Sequence, residues 1–152
     1  MRIDCQVDIE APAAHVWPYV SDPLQWHLWM PELHQISLPD DYDAHNPVGA
    51  SFRQTIRARL GASATKGTIT SCSPLTHFGF RVEDRGASQQ VDLHLSPMGT
   101  GTCLSCESQV TATSIHARLR YLLHSPFEVR RISRQMSRLK QLAEESVSPA
   151  AG

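Results

Sequence analysis

The stretch Ile3-Asp4-Cys5-Gln6-Val7-Asp8-Ile9-Glu10-Ala11-Pro12-Ala13-Ala14-His15-Val16-Trp17-Pro18-Tyr19-Val20-Ser21-Asp22-Pro23-Leu24-Gln25-Trp26-His27-Leu28-Trp29-Met30-Pro31 decides the architecture. Ile3, Cys5, Val7 and Ile9 recur at every second residue, which places them on one buried face of a strand. Pro12 follows at once. Its fixed φ suits a first helical turn, and the N–H it lacks has no partner to lose there. Trp26 and Trp29 stand between Pro23 and Pro31 in a broken helical segment. The segment therefore reads as a strand running directly into a pair of short helices that carry two large amphipathic rings.

The rest of the 152-residue chain supplies a sheet and its cover. Gln35 to Leu38 reads as a short strand, and Pro39 to Pro47 as a polar loop rich in turn formers. Phe52, Gln54, Ile56, Ala58 and Leu60 then alternate with Ser51, Arg53, Thr55, Arg57 and Arg59. A Thr-rich strand of undefined register spans 63–72. Phe78, Phe80 and Val82 form the next inward series, then Val91, Leu93 and Leu95, then Leu104, Cys106, Ser108 and Val110. Turns fall at Pro47-Val48-Gly49, Asp84-Arg85-Gly86 and Pro97 to Gly101. Strands apolar on one face with short connections predict an antiparallel meander covered on one side.

At the C-terminus, Ser125-Pro126-Phe127-Glu128 combines an N-cap, a first-turn proline and a capping-box acid. Phe127, Ile132, Met136, Leu139, Leu142 and Ala143 mark one face of the predicted helix, and Arg130, Arg131, Arg134, Arg138 and Lys140 fill much of the other. The helix should run about twenty residues. Upstream, Ile115, Leu119, Leu122 and Leu123 suggest a short separate helix or turn. One domain over 1–147 with a frayed tail at 148–152 is expected.

Composition narrows the function. Apolar residues make up 41 % and charged residues 19 %, with a formal net charge of −1, so the chain as a whole carries no basic footprint for nucleic acid. No run approaches the roughly 20 apolar residues that span a bilayer, which argues against stable membrane insertion. The N-terminus, with Asp4, Asp8 and Glu10, is unlike a signal peptide, and the expected compartment is the cytoplasm. The four cysteines make no disulfide framework. Cys103-x-x-Cys106 lies in a strand, where residues three apart point to opposite faces, and no second Cys or His pair completes a tetrahedral metal site.

A one-faced sheet must bury that face, and the long C-terminal helix is the amphipathic element available to cover it. Ile9-Glu10-Ala11-Pro12 followed by Val16-Trp17, then Ser21-Asp22-Pro23, Trp26, Trp29 and Pro31, resembles the START/Bet v 1-like (SRPBCC) superfamily. Within it the chain is most similar to the polyketide cyclase/dehydrase and lipid-transport group. Gly99-Thr100-Gly101-Thr102 and Leu139-Lys140-Gln141-Leu142-Ala143-Glu144 are similar to that group too. The resemblance implies an α+β helix-grip fold, a curved antiparallel sheet of about six or seven strands wrapped on the long helix, with an apolar cavity between them.

The lining candidates are Phe52, Ile56, Phe78, Phe80, Val91, Leu93 and Leu104 from the sheet, with Met136 and Leu139 opposite. Trp26 and Trp29 are the candidate gate, and His27 between them is placed at the pocket mouth. Each apolar candidate, taken singly, reads more readily as plain core than as pocket lining, because pockets are themselves largely apolar; the case for a cavity is collective. Eight histidines are scattered, with no HExxH and no helical pair beside an acid. There is no GxSxG, P-loop or GxGxxG, and neither a metal nor a cofactor is implied. The catalytic residues, if any, are unassigned.

Three functions remain open. The first is a carrier or binder of a small hydrophobic molecule (lipid-like, aromatic or polyketide-like), with transient membrane contact through the basic helix allowed. The second is a polyketide cyclase/aromatase- or dehydratase-like enzyme. The third is an interaction protein whose cavity is filled. An inward-facing ionisable group favours the enzyme, and an all-apolar lining favours the carrier.

Overall fold

The computed structural model describes residues 1–58, 61–84 and 86–147. Arg59, Leu60, Arg85 and the expected tail at 148–152 lie outside the described residues. The chain runs β1 (Arg2–Ile9), α1 (Ala13–Ser21), a 3₁₀ helix (Pro23–Leu28), β2 (Leu33–Ser37), β3 (Ser51–Ala58), β4 (Gly61–Ser73), β5 (His77–Asp84), β6 (Ala87–Met98), β7 (Gly101–Ala112) and α2 (Ile115–Val147). All neighbours in the sheet pair antiparallel, in the order β1-β7-β6-β5-β4-β3-β2. The 63–72 strand is β4, which pairs Gln54 with Thr65 on one side and Ile69 with Phe80 on the other. Register shifts between Leu33 and Gln35 and between Ile69 and Ser71 mark irregularities of the kind that bend and twist a sheet. The sheet is the curved wall of a helix-grip fold.

The inward residues of alternate positions meet as the core. Ile3, Ile9, Phe52, Ile69, Phe78, Phe80, Leu93 and Leu104 are buried, with Val16, Val20, Trp26 and Leu33 against them. Trp26 is wholly buried, 4.6 Å from Phe80 and 5.5 Å from Phe52 between ring centroids. Its edge-to-face contacts with Phe52 and Phe78 each contribute about 0.5–1.5 kcal/mol beyond burial.

The two tryptophans also finish α1. A helix leaves its last carbonyls without partners. Here the Trp26 indole Nε1–H donates to Val20 O at 3.0 Å and Trp29 Nε1–H to Tyr19 O at 2.9 Å. The short 3₁₀ helix thus folds back on the C-terminus of α1, and the Asp22 carboxylate caps its start by accepting from Leu24 N.

The C-terminal helix differs from the sequence expectation. It is one 33-residue helix from Ile115, with Pro126 inside it, rather than a twenty-residue helix begun at Ser125. Its first turn is capped by Ser114 Oγ, which accepts from Ala117 N at 3.1 Å. An internal proline removes one helical hydrogen bond, and a helix already capped and propagating upstream overrides the local capping-box signal. Phe127, expected on the buried face, is 59 % exposed. Ile132, Met136, Leu139 and Ala143 hold that face against the sheet.

Candidate functional site: a cavity between sheet and helix

Between the sheet's concave face and α2 lies an inner chamber of about 80 Å³. Six of the sequence candidates, Trp29, Ile56, Phe80, Val91, Leu93 and Met136, contribute to its apolar lining. The other six candidates stand elsewhere. Trp26, Phe52, Phe78, Leu104 and Leu139 are core side chains at 0–1 % exposure. His27 is exposed, its ring nitrogen 2.8 Å from Leu24 O, on the outside of the 3₁₀ helix.

Beside it lies a vestibule of about 300 Å³, lined by Ser63 and Thr65 of β4, Asp84, Ala87, and Arg120, Glu128 and Arg131 of α2. Gln54, Ile56, Val82, Gln89 and Arg131 border both spaces, so the two adjoin. The vestibule stands at the lower end of the size range of small-molecule sites, and the inner chamber falls short of it.

Gln54, Gln89 and Arg131 put polar groups where the two spaces adjoin, and further polar contacts surround them. Gln54 is 7 % exposed and Ser108 1 %. Gln89 Nε2–H donates to Ser108 Oγ at 2.7 Å. Gln135 Nε2–H donates to Glu32 Oε2 at 3.0 Å, and Arg138 Nε–H to Leu28 O at 3.4 Å. These last two bonds tie α2 to the segment that follows α1. Arg131 Nη2 makes a short ion pair with Glu128 one turn earlier on α2, with both side chains mostly buried. Two buried side-chain atoms have no protein partner among the described residues, Arg131 Nε and Thr65 Oγ1.

None of these polar residues was singled out as a site from the sequence. The signal was present for three of them. Gln54 is in phase with Phe52 and Ile56, Gln89 with Val91 and Leu93, and Ser108 with Leu104 and Cys106. Polar residues on the inward phase of three strands mark a polar end to an apolar cavity. Arg131 carried no such mark, since an arginine on a helix beside other arginines reads as solvated surface.

The thiols are free, as a strand-borne CxxC leads one to expect. Cys106 lines the inner chamber, and its burial, aided by Cys5 and nearby carboxylates, pushes its pKa up to about 12. On the outer face of the sheet, away from the cavity, His77 Nε2 lies 2.8 Å from Asp92 Oδ1 and the His77 and His94 rings stack at 4.3 Å. Among the described residues no group of three His, Cys, Asp or Glu side chains is arranged to hold a metal. No helix among them is long and apolar enough to cross a membrane.

The family described as polyketide cyclase / dehydrase and lipid transport matches residues 1–144. No protein of curated function matches the sequence. Among solved structures, TTHA0849 from Thermus thermophilus is similar at 13 % identity and a TM-score of 0.77, covering 97 % of this chain and 100 % of its own. CV1439 from Chromobacterium violaceum is similar at 19 % identity and a TM-score of 0.67, with 95 % and 98 % covered. The di-domain ARO/CYC StfQ of the steffimycin biosynthetic pathway is similar at 12 % identity and a TM-score of 0.77; 97 % of this chain matches 52 % of that one. At these identities the structures establish the helix-grip fold. The match across nearly the whole sequence establishes more: the chain belongs to the polyketide cyclase / dehydrase and lipid transport family.

Proposed function

We propose that this protein binds a small amphipathic molecule between its sheet and α2, apolar body inward and polar end toward the vestibule, and carries or sequesters it. The observation that carries this reading is a pair of adjoining spaces with unlike linings. Trp29, Phe80, Leu93 and Met136 line the smaller space only, Thr65, Asp84 and Glu128 the larger only, and Gln54, Gln89 and Arg131 border both. Burial of apolar ligand surface drives binding at roughly 25 cal/mol per Å², and the few polar groups fix orientation. The family's own description, with lipid transport in it, supports the reading. The test is native mass spectrometry of protein purified from its own host, with displacement of a fluorescent apolar dye by alkylbenzenes. Co-purified or competitively bound apolar molecules are expected. Their reproducible absence would remove the reading.

Turnover is the second reading, in keeping with the cyclase and dehydrase part of the family description and with the ARO/CYC relative. The observation in its favour is Glu32, a carboxylate on the chamber lining held by Gln135. A general acid or base must lie within hydrogen-bond reach of its substrate, and this one borders the ligand space. Conversion of a bound polyketide-type chain by the wild type and its loss in Glu32→Gln, with binding retained, would establish it.

The exchange route follows from α2. Ile115, Leu119, Leu122, Leu123 and Phe127 are each more than half exposed, and 115–127 contains Arg118 and Arg120 but no Asp or Glu. An apolar face that carries arginines and ends at a single acid, Glu128, fits an anionic lipid surface. It lies on the same helix as Arg120, Glu128 and Arg131, so a docked protein would take up and release ligand at the bilayer.

A further inference from the structure

We infer that Gln54 is a hydrogen-bonding point of the cavity and that it takes a hydroxyl group, alcohol or phenol, borne on an apolar body. The inference rests on the reading of the cavity as the ligand site and names the chemistry of its polar end.

Gln54 is 7 % exposed, and a carboxamide so enclosed almost always finds protein partners. This one makes no side-chain hydrogen bond among the described residues. Nor is it sealed. Arg131 Nε and Thr65 Oγ1 are the unpaired side-chain atoms closed off from all space, and neither polar atom of the Gln54 amide is among them. Its oxygen and nitrogen are therefore reached from open space, and the spaces that Gln54 borders are the chamber and the vestibule. The other amides on the chamber lining are engaged: Gln89 donates to Ser108 at 2.7 Å and Gln135 to Glu32 at 3.0 Å. An apolar side chain of the same shape would be buried here at less cost, so the open amide is a burden on the fold that a bound polar group relieves.

The amide selects the kind of group. It presents a donor and an acceptor side by side. A ketone or ether oxygen answers the Nε2–H and leaves Oε1 bare, whereas a hydroxyl both donates and accepts. Charge and room remove the larger polar groups. Glu32 lines the same chamber, so a ligand carboxylate entering it would meet a like charge as it lost its hydration. A carboxamide would answer both atoms, but it brings a carbonyl and an amino group into a chamber of about 80 Å³ where a hydroxyl adds a single oxygen.

The experiment measures dissociation constants by titration calorimetry for butylbenzene, 4-butylphenol and 4-butylanisole, in the wild type and in Gln54→Met. The ligands share an apolar body and bear no oxygen, a hydroxyl or an ether. Methionine is nearly isosteric with glutamine and lacks the amide. The change in affinity ratio between the two proteins isolates Gln54, because the hydroxyl's loss of hydration is common to both. The phenol-to-hydrocarbon ratio should fall about tenfold in Gln54→Met, the return on one well-placed hydrogen bond. The ether-to-hydrocarbon ratio should fall less, because an ether leaves Oε1 unpaired. Gln54→Met should melt at or above the wild-type temperature, since it breaks no protein hydrogen bond. An unchanged phenol ratio would overturn the inference, as it would if water satisfied the amide beside every ligand. An ether ratio that falls as far as the phenol's would overturn the choice of a hydroxyl. A variant that melts well below wild type, or fails to fold, would show that the amide is held within the fold and would overturn the inference too. All three results leave wild-type binding of butylbenzene, and the cavity reading, standing. Failure of all three ligands to bind the wild type sinks the cavity reading and this inference with it.

Discussion

The ring of Phe52 lies across the backbone of its register partner Gly67 on β4, so that a Cβ added to Gly67 would stand 2.1 Å from Phe52 Cζ. Glycine is required here by the close approach of a buried ring. Phe52 is 1 % exposed and is wedged against Trp26 and Phe80, so it has little room to retreat. Gly67→Ala should therefore destabilise the fold by about 1–3 kcal/mol, the usual range for overpacking. Urea unfolding should show a lower midpoint with an unchanged slope. Wild-type stability in this variant would mean that the Phe52 ring moves aside freely and is no fixed part of the core.

The two tryptophans separate by role. Both cap carbonyls at the end of α1, yet Trp29 lines the inner chamber and Trp26 is enclosed by Phe52, Phe78 and Phe80. Trp26→Phe and Trp29→Phe should each cost about 1–3 kcal/mol by leaving a carbonyl unpaired. Only Trp29→Phe should change the affinity for the alkylbenzenes that displace the dye. Phenylalanine is the informative substitution, because alanine at either buried position would confuse loss of a contact with collapse of the core. An altered constant in Trp26→Phe with none in Trp29→Phe would reverse the assignment.

Alternation made most of the wall legible in advance. Ile3 and Ile9, Phe78 and Phe80, and Leu93 and Leu95 keep strict period two because a one-residue slip would turn each strand's apolar set to water. The start of α2 was less legible. Ser125-Pro126-Phe127-Glu128 is compatible with a helix start but does not impose one, while the actual cap, Ser114, sits in a plain Thr113-Ser114 pair. Arg131 was hidden for a different reason. Its place over the cavity mouth depends on where α2 crosses the sheet, and no local pattern encodes that crossing. Thr65, in a Thr-rich strand with few apolar markers, gained its inward direction only from pairing with Gln54.

Cys106 offers a pH-dependent check on the inner chamber. Burial raises its folded pKa from 9.0 to about 12, so the folded protein keeps the thiol proton over a range in which the unfolded chain releases it. The unfolded state then binds fewer protons, and stability must fall as pH rises from about 9 toward 12. Below 9 the contribution is fully present. Cys106→Ala should flatten part of that fall relative to wild type, a difference that cancels the common ionisation of tyrosines and lysines. At pH 8.5, iodoacetamide should modify Cys106 more slowly than the half-buried Cys5, because the thiolate is the nucleophile. Rapid alkylation of Cys106 in the folded protein would contradict its enclosure.

The exposed face of α2 decides whether ligand exchange takes place at a membrane. Ile115 and Leu123 are 73 % and 74 % exposed, more than a lone surface leucine requires, and the surrounding segment carries arginines without acids. The protein should sediment with vesicles containing phosphatidylglycerol and much less with pure phosphatidylcholine, and added salt should weaken the binding by screening the arginines. Leu119→Ser with Leu123→Ser removes two apolar anchors that are 53 % and 74 % exposed. It should reduce vesicle binding about tenfold or more while leaving the melting temperature and the affinity for alkylbenzenes unchanged. If the wild type ignores anionic vesicles and instead dimerises with rising concentration, and the double variant stays monomeric, the face belongs to a second copy of the chain. Ligand exchange would then have to proceed through the vestibule in free solution.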